Sequence, residues 1–395
     1  VDFILISTGD WDHPYWTNKQ HVAATLAEQG HRVLYAESMG LRRPFAVSRD
    51  RRRMFQRVVK WLNGLRQVQK NLWVFTPVSI PLQQYAPVRW LNLLLLRLLL
   101  RAHSRRLHFR EPVFWTYNPL TADLIGTIGD RVSVYHCVDE LRAQPGMPAR
   151  AIEQGETELL RKVDLVFATS TTLRESRKTL NENTHYFPNV VDFDHFHRAC
   201  TDVFSRPVEF EAMQAPIIAF IGAISTYKVD FSLLFELAES RPDYQIVLIG
   251  EVGEGDPLTD TGRLQGLPNL HFLGPRPYQA LPQYLQHIDV CVIPSVLNEY
   301  TRCMFPMKFF EYLAAGKPVV AVDTGTLTEY TAVCRLTETT AEFIHAVDEC
   351  LTNPDPARHE QGVQLARQNT YIERTQAMLK LVCQQRSQRQ TKELG

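Results

Sequence analysis

Short apolar runs alternate with stretches of helical periodicity along the whole chain. Residues 1–7 are an apolar run of strand length, followed by a loop over 8–16. Val22, Ala23, Leu26 and Ala27 then recur at the spacing of one helix face, with Thr17 as the capping residue. Gly30 ends that helix and 31–36 is a second strand. Apolar runs return at 71–75, 112–116, 131–135 and 164–168, and again at 216–221, 244–249, 269–273, 289–295 and 319–322. This β-loop-α-β order is the usual start of a doubly wound α/β domain, and 395 residues are enough for two domains. The first loop holds Gly9 but no GxGxxG fingerprint, which argues against a nicotinamide-dependent enzyme.

One stretch organises the second half. Pro306 suits a first helical position, Phe309, Phe310, Leu313 and Ala314 give an apolar face, and Gly316 is placed to end the helix. Lys317-Pro318 then turns the chain into the next strand. Lys308 and Glu311, three apart, share one side of the first turn. Unpaired N–H groups and a lysine at a helix start attract an anion, and a carboxylate one turn further accepts hydrogen bonds from a sugar diol. Phosphate beside ribose describes a nucleotide, although a plain surface Lys–Glu pair has the same spacing. Upstream, Gly222, a loop of small residues and Lys228 precede another helix, the pattern of a phosphate cradle. Gly250 opens a glycine-containing loop (Gly253, Gly255) after the following strand, and Gly325, Thr326 and Leu327 form a second glycine turn. In the first half, His136 and Asp139 follow a strand, where acid–base groups of open sheets gather.

Charge sums to zero over 395 residues but is unevenly placed. Between Leu41 and Arg110 stand sixteen lysines and arginines against Asp50 alone. Such a block is a solvated face or a patch for an anionic partner. Residues 48–70 read as a basic amphipathic helical region with Phe55, Val58, Val59 and Leu62 inside. Residues 88–101, rich in leucine and edged by arginine, are too short an apolar run for a membrane span of about 20 residues. They fit a buried helix or, with Trp90 and the arginines at 97, 101, 105 and 106, an element lying in a membrane interface. The seven cysteines show no CxxC or Cys/His spacing, so neither a disulfide framework nor a zinc site is expected. The opening residues read as a strand rather than a signal peptide, and a cytoplasmic protein is expected.

The string 306–320 with its GKPVV, the run 289–295 and the segment 187–196 together resemble GT-B glycosyltransferases of the family-4 (group 1) type. The resemblance implies two Rossmann-like domains facing across a cleft: an acceptor domain over 1–200 and a nucleotide-sugar donor domain over 201–371. It also implies that a terminal helix at about 372–390 packs back on the first domain. In that likeness Glu311 holds the ribose, Lys308 and Lys228 meet the diphosphate, and Arg276 and Tyr278 pack the nucleobase. Gly222, Gly250, Gly325, Thr326 and Leu327 line the donor. Gly9, Trp16, Asn18, Lys19 and Gln20 contact the acceptor, although two tryptophans in that loop also suit simple packing. His136 approaches the donor sugar and Asp139 is the candidate base. No metal or further cofactor is implied. Asp192-x-Asp194 matches a DxD metal pattern of another glycosyltransferase fold, but its place in an interdomain segment fits GT-B better. Two departures stand out: Val190 replaces a glycine, and Cys303 stands where retaining enzymes carry a first glutamate, with Glu299 nearby. The stereochemical outcome therefore stays open.

The implied activity is transfer from a UDP-sugar to a lipid-linked or polysaccharide acceptor of the envelope or exopolysaccharide. The enzyme would sit peripherally on the inner membrane face through the basic region 42–110, and nucleic acid is not an expected partner. The alternatives are a GT-B-shaped nucleotide-sugar epimerase and a weakly active nucleotide-sugar-binding subunit of a partner transferase.

Overall fold

The computed structural model describes residues 1–42, 61, 64–213, 216–254, 256 and 258–394. Most of the basic helical region expected over 48–70, with the cations between Arg43 and Lys60, lies outside the described residues, as does Gly255. The described end of that region is a strand, not a helix. Gln67 and Gln69 pair with Trp73 and Leu72, the edge register that alternating short polar residues favour.

The chain divides into two compact units, Val1–Pro188 with Arg374–Gly395, and Asn189–Glu373. The first unit contains β1 (Asp2–Ile6), α1 (Asn18–Glu28), β2 (Arg32–Ala36), β3 (Arg66–Gln69), β4 (Leu72–Phe75), α2 (Ala86–Arg106), β5 (Val113–Thr116), β6 (Val132–Cys137), α3 (Ala149–Lys162), β7 (Leu165–Ala168), α4 (Thr171–Lys178) and β8 (Thr184–Tyr186). Its eight strands run in the order β3-β4-β2-β1-β5-β6-β7-β8, parallel except for β3. Strands buried on both faces need continuous apolar runs, which Phe3–Ile6 and 113–115 provide. One face packs on Val22, Ala23 and Leu26 of α1, the other on Leu96 and Leu100 of α2.

The second unit contains α5 (Phe193–Thr201), β9 (Ile217–Ile221), α6 (Phe231–Ser240), β10 (Gln245–Ile249), β11 (Leu270–Gly274), α7 (Leu281–Gln286), β12 (Val290–Ile293), α8 (Lys308–Ala314), β13 (Val319–Val322), β14 (Arg335–Thr337), α9 (Thr340–Thr352) and α10 (Pro356–Gln368). Its sheet is parallel, in the order β11-β10-β9-β12-β13-β14. The last helix, α11 (Tyr371–Leu394), buries Met378 and Val382 in the core of the first unit.

Strand order reverses at β9, so the loops leaving β9 and β12 diverge there and leave a concavity at the carboxyl edge. Close backbone approach shapes this edge. The Gly222 N–H donates to Ile249 O at 2.9 Å, and the Gly250 N–H donates to Gly274 O at 3.1 Å. Gly250 sits at φ +154, and a Cβ there would lie 1.8 Å from Gly222 O, so this position accepts no side chain without moving the neighbouring strand. Gly250→Ala is expected to destabilise the second unit by about 2–4 kcal/mol, read by urea unfolding against wild type. A loss below about 1 kcal/mol would mean that Gly222 yields easily.

Candidate functional site

In the second unit the key helix, α8, begins at Lys308, two residues later than Pro306 suggests. It is also buried on every side: Phe309 to Ala314 are all buried, Glu311 and Tyr312 included. The four apolar positions are thus one part of an enclosed helix rather than a face. Its end matches the glycine signal. Gly316 is at φ +65, its N–H donates to Leu313 O, and the Lys317 N–H donates to Tyr312 O, which is a Schellman closure.

Two bonds orient the Lys308–Tyr312 side of α8. The Tyr312 hydroxyl accepts the Ile221 N–H at 2.8 Å, tying the helix to the last residue of β9 just before Gly222. Lys308 Nζ donates to Glu311 Oε2 at 2.8 Å. Burial pushes the Glu311 carboxyl above the usual range, and nearby Asp192 pushes the same way, while Lys308 opposes both. Tyr278 belongs to this cluster. Its hydroxyl reaches toward Asp192 Oδ2 at 3.5 Å, and its ring stacks on His195 at 4.2 Å. Burial raises its pKa first, with Glu311 and Asp192 adding to it.

The Gly222–Lys228 loop lies at the end of β9. Ser225 O accepts both the Lys228 and the Val229 N–H at 2.9 Å, giving a tight turn. The Ser225 hydroxyl is fully buried without a hydrogen-bond partner among the described residues. Lys228 Nζ stands 5.3 Å from the Tyr227 ring and 5.9 Å from that of Tyr300. The following helix α6 is capped by Asp230, whose carboxylate accepts the Ser232 and Leu233 N–H groups. In the second glycine turn Gly325 is at φ +85 with its N–H on Asp323. Thr326 Oγ1 donates to Met304 O, and Leu327 is buried in the core with Phe305 and Phe309. Arg276 is turned toward Glu209 (2.6 Å), the Tyr284 hydroxyl (2.8 Å) and Leu273 O.

In the first unit the strand expected to stop at Tyr135 runs on through Cys137. His136 therefore does not emerge into a loop. It follows the period of Val132 and Val134 into the core side of the sheet, fully buried. Its ring stacks on Tyr117 at 4.8 Å, and neither ring nitrogen has a hydrogen-bond partner among the described residues. Burial lowers its pKa well below the usual value, with Arg374 and Lys19 adding to this, so the ring is neutral at physiological pH. Asp139 lies half-buried in the loop beyond. The next residue, Glu140, pairs at 2.8 Å with buried Arg177, which also holds Glu156 at 2.9 Å, and this network pins the loop.

Around Gly9 the polar residues expected to meet a ligand also hold the loop. Gln20 accepts the Thr17 N–H and donates to Asp10 O, and Asn18 Oδ1 accepts from the Tyr117 hydroxyl at 3.4 Å. The Gly9 N–H donates to Ser7 Oγ at 2.9 Å, and its carbonyl accepts from Tyr35. Trp16 packs on Trp11 at 4.7 Å, and Lys19 is half-buried beside Gly9. Glu299 is exposed, while Cys303 is buried. Asp192 was overlooked as a site residue. Its signals in the sequence are the motif at 187–196, which reads as a connection between halves, and the discounted DxD pattern. Among the described residues no cluster of acids, histidines and cysteines is arranged to hold a metal ion.

Three comparisons bear on this arrangement. Residues 215–353 match the family model described as glycosyl transferases group 1. A Bacillus subtilis protein, TuaH, described as a teichuronic acid biosynthesis glycosyltransferase, is 30% identical over 179 residues, a match spanning 44% of each chain. The fold matches the sucrose-phosphate synthase of Thermosynechococcus elongatus with TM-score 0.70 at 18% identity, covering 97% of this chain and 98% of that one. Anabaena HepE in complex with UDP-glucose matches with TM-score 0.64 at 15% identity, over 97% and 99% of the two chains.

A raised carboxyl pKa has a thermodynamic sign. Glu311 must ionise in a buried site, so its contribution to stability is greatest below its unfolded pKa and is lost as pH rises through its folded pKa. Glu311→Gln is therefore expected to gain thermal midpoint relative to wild type as pH rises from 4 to 8. A difference that stays constant across this range would show that burial leaves the carboxyl unshifted.

Proposed function

We propose, from the premise that this is a group 1 glycosyltransferase chain of GT-B fold, that it transfers a sugar from a UDP-sugar to a glycan or lipid-linked acceptor of envelope or exopolysaccharide synthesis. The acceptor would be held at the inner face of an anionic membrane. The observation that carries the reading is the pairing of half-buried Lys308 with buried Glu311 on a helix bonded to the very strand end that leads into the Gly222–Lys228 turn. A buried carboxylate set beside an ammonium suits a ribose diol next to a diphosphate.

In this reading Glu311 accepts the ribose hydroxyls, and Lys228, Lys308 and the turn N–H groups hold the diphosphate. Charge grows on that diphosphate as the glycosidic bond breaks, and preorganised donors stabilise it without reorganising. Asp139 takes the proton of the acceptor hydroxyl, and His136, enclosed in the core, supports the strand end that leads to it. HepE in complex with UDP-glucose supports the donor class, and TuaH, described as acting in teichuronic acid biosynthesis, supports the envelope acceptor. A second reading, a nucleotide-sugar-binding subunit that assists a partner transferase, is favoured by Cys303 standing buried where the family resemblance expects a glutamate.

A thermal-shift screen of nucleoside diphosphates is expected to single out UDP, since a ligand of the native state raises its stability. Glu311→Ala should weaken UDP binding by about tenfold or more, the loss of a charge-assisted hydrogen bond. Asp139→Ala should leave UDP binding intact and abolish sugar transfer. UDP binding without transfer in the wild-type chain would instead favour the subunit reading, and isomerised donor without acceptor would mark an epimerase.

A further inference from the structure

The outward side of α2 is not built for water. Its inward stripe, Asn92, Leu96, Leu100 and Ser104, steps by four along the core of the first unit. The opposite stripe is Pro87, Leu91, Leu94, Leu98, Arg101 and Arg105, spaced four and three in alternation, and five of the six are exposed. Beside it Trp90 is 66% exposed, and Leu98 within it is 53% exposed. The first three turns of the outer face are thus apolar and the last two basic.

The loop entering the helix extends the apolar part. Asn92 accepts the Ile80 N–H at 2.8 Å and donates to Ile80 O at 2.9 Å, pinning this loop against the helix. Ile80, Leu82 and Tyr85 are held exposed there. Bulky apolar groups kept in solvent by a buried polar anchor mark an interaction surface rather than accidental exposure.

Charge says what kind of surface. Arg97, Arg101, Arg105 and Arg106 have no carboxylate partner among the described residues, and Arg101 bonds only the carbonyl of Thr127. Asp50 is the single acid between Leu41 and Arg110. No described helix is long and apolar enough to cross a membrane. A second copy of the chain fits poorly: a parallel pairing sets arginine against arginine, and an antiparallel one sets arginine against Trp90 and Leu91. A leucine and tryptophan surface grading into arginine suits a bilayer with anionic headgroups, which takes both parts at once.

We propose that α2 and the 80–85 loop form a monotopic membrane-docking face, with Ile80, Leu82, Trp90, Leu91 and Leu98 at the acyl boundary and Arg101, Arg105 and Arg106 against lipid phosphates. This rests on the reading of the acceptor as membrane-held, and adds an orientation. The helix links parallel strands β4 and β5, so it runs antiparallel to them. Its apolar end therefore lies at the carboxyl edge of the sheet, the edge that carries the Gly9 and Asp139 loops. Docking brings that edge to the bilayer.

The test is co-sedimentation of the full chain with phosphatidylcholine vesicles, with and without phosphatidylglycerol. Wild type should bind the anionic vesicles and release in high salt. Arg101→Ser/Arg105→Ser/Arg106→Ser should lose about tenfold or more on anionic vesicles, each cation near such a surface adding to affinity. Trp90→Ser/Leu98→Ser should lose binding to a similar degree even at low salt. UDP-induced thermal stabilisation, a property of the other unit, checks that each variant is folded. Absent vesicle binding by wild type, or binding that both variants retain, overturns the proposal. So does a concentration-dependent dimer that Trp90→Ser/Leu98→Ser dissolves, which would make the face a self-association surface. Vesicle binding without UDP binding would sink the transferase reading and leave this surface standing.

Discussion

The hydroxyl of Tyr312 accepts the N–H of Ile221 at 2.8 Å and turns toward the carbonyl of the same residue, and the carboxyl edge of the second sheet is arranged around this contact. A strand end with an unpaired buried N–H would cost about 1–3 kcal/mol, so the edge needs a partner for it. The partner comes from α8, one residue after Glu311. The side chain that completes β9 and the buried Glu311 carboxylate are therefore set by one helical register. Shifting that register by a residue would disturb both.

Glu311 illustrates why such a register is maintained. A buried carboxylate opposes stability, and Lys308 only partly relieves it. A helix otherwise filled with phenylalanine, leucine and alanine has no packing reason to keep the acid. Burial without full compensation lowers stability, and perturbed carboxylates of this kind concentrate at functional places in proteins. Asp192 and Tyr278 extend the same economy, crowding a second carboxylate and a phenol around the first.

Much of this was legible in the residues. Apolar runs marked the strands of both sheets except β3, β8 and β14 to within a few residues, because parallel strands covered on both faces require unbroken apolar stretches. Gly316 announced its own closure, since a left-handed residue after a helix is a local requirement. What escaped was set by tertiary contact. His136 looked like a residue leaving a strand, yet the pairing with β7 carries the strand two residues further and turns the ring into the core. The enclosure of α8 on all sides arises from α10 and the sheet, which no helical periodicity reports. β3 was hidden because an edge strand of arginine, glutamine and valine has no apolar run to betray it. Asn18 and Gln20, polar and next to a glycine loop, suggested ligand contact while also serving as internal braces.

The thiols have a practical consequence. Cys137, Cys291, Cys303 and Cys334 are buried, and burial pushes Cys291 and Cys334 up to about 12, which leaves almost no nucleophilic thiolate at neutral pH. Cys200 and Cys383 are the exposed pair, one in each compact unit. Maleimide dyes would react first at these two positions, more slowly at Cys200, where partial burial also raises the thiol. The sequence thus carries one exposed thiol in each compact unit, so each unit can be labelled without engineering a cysteine.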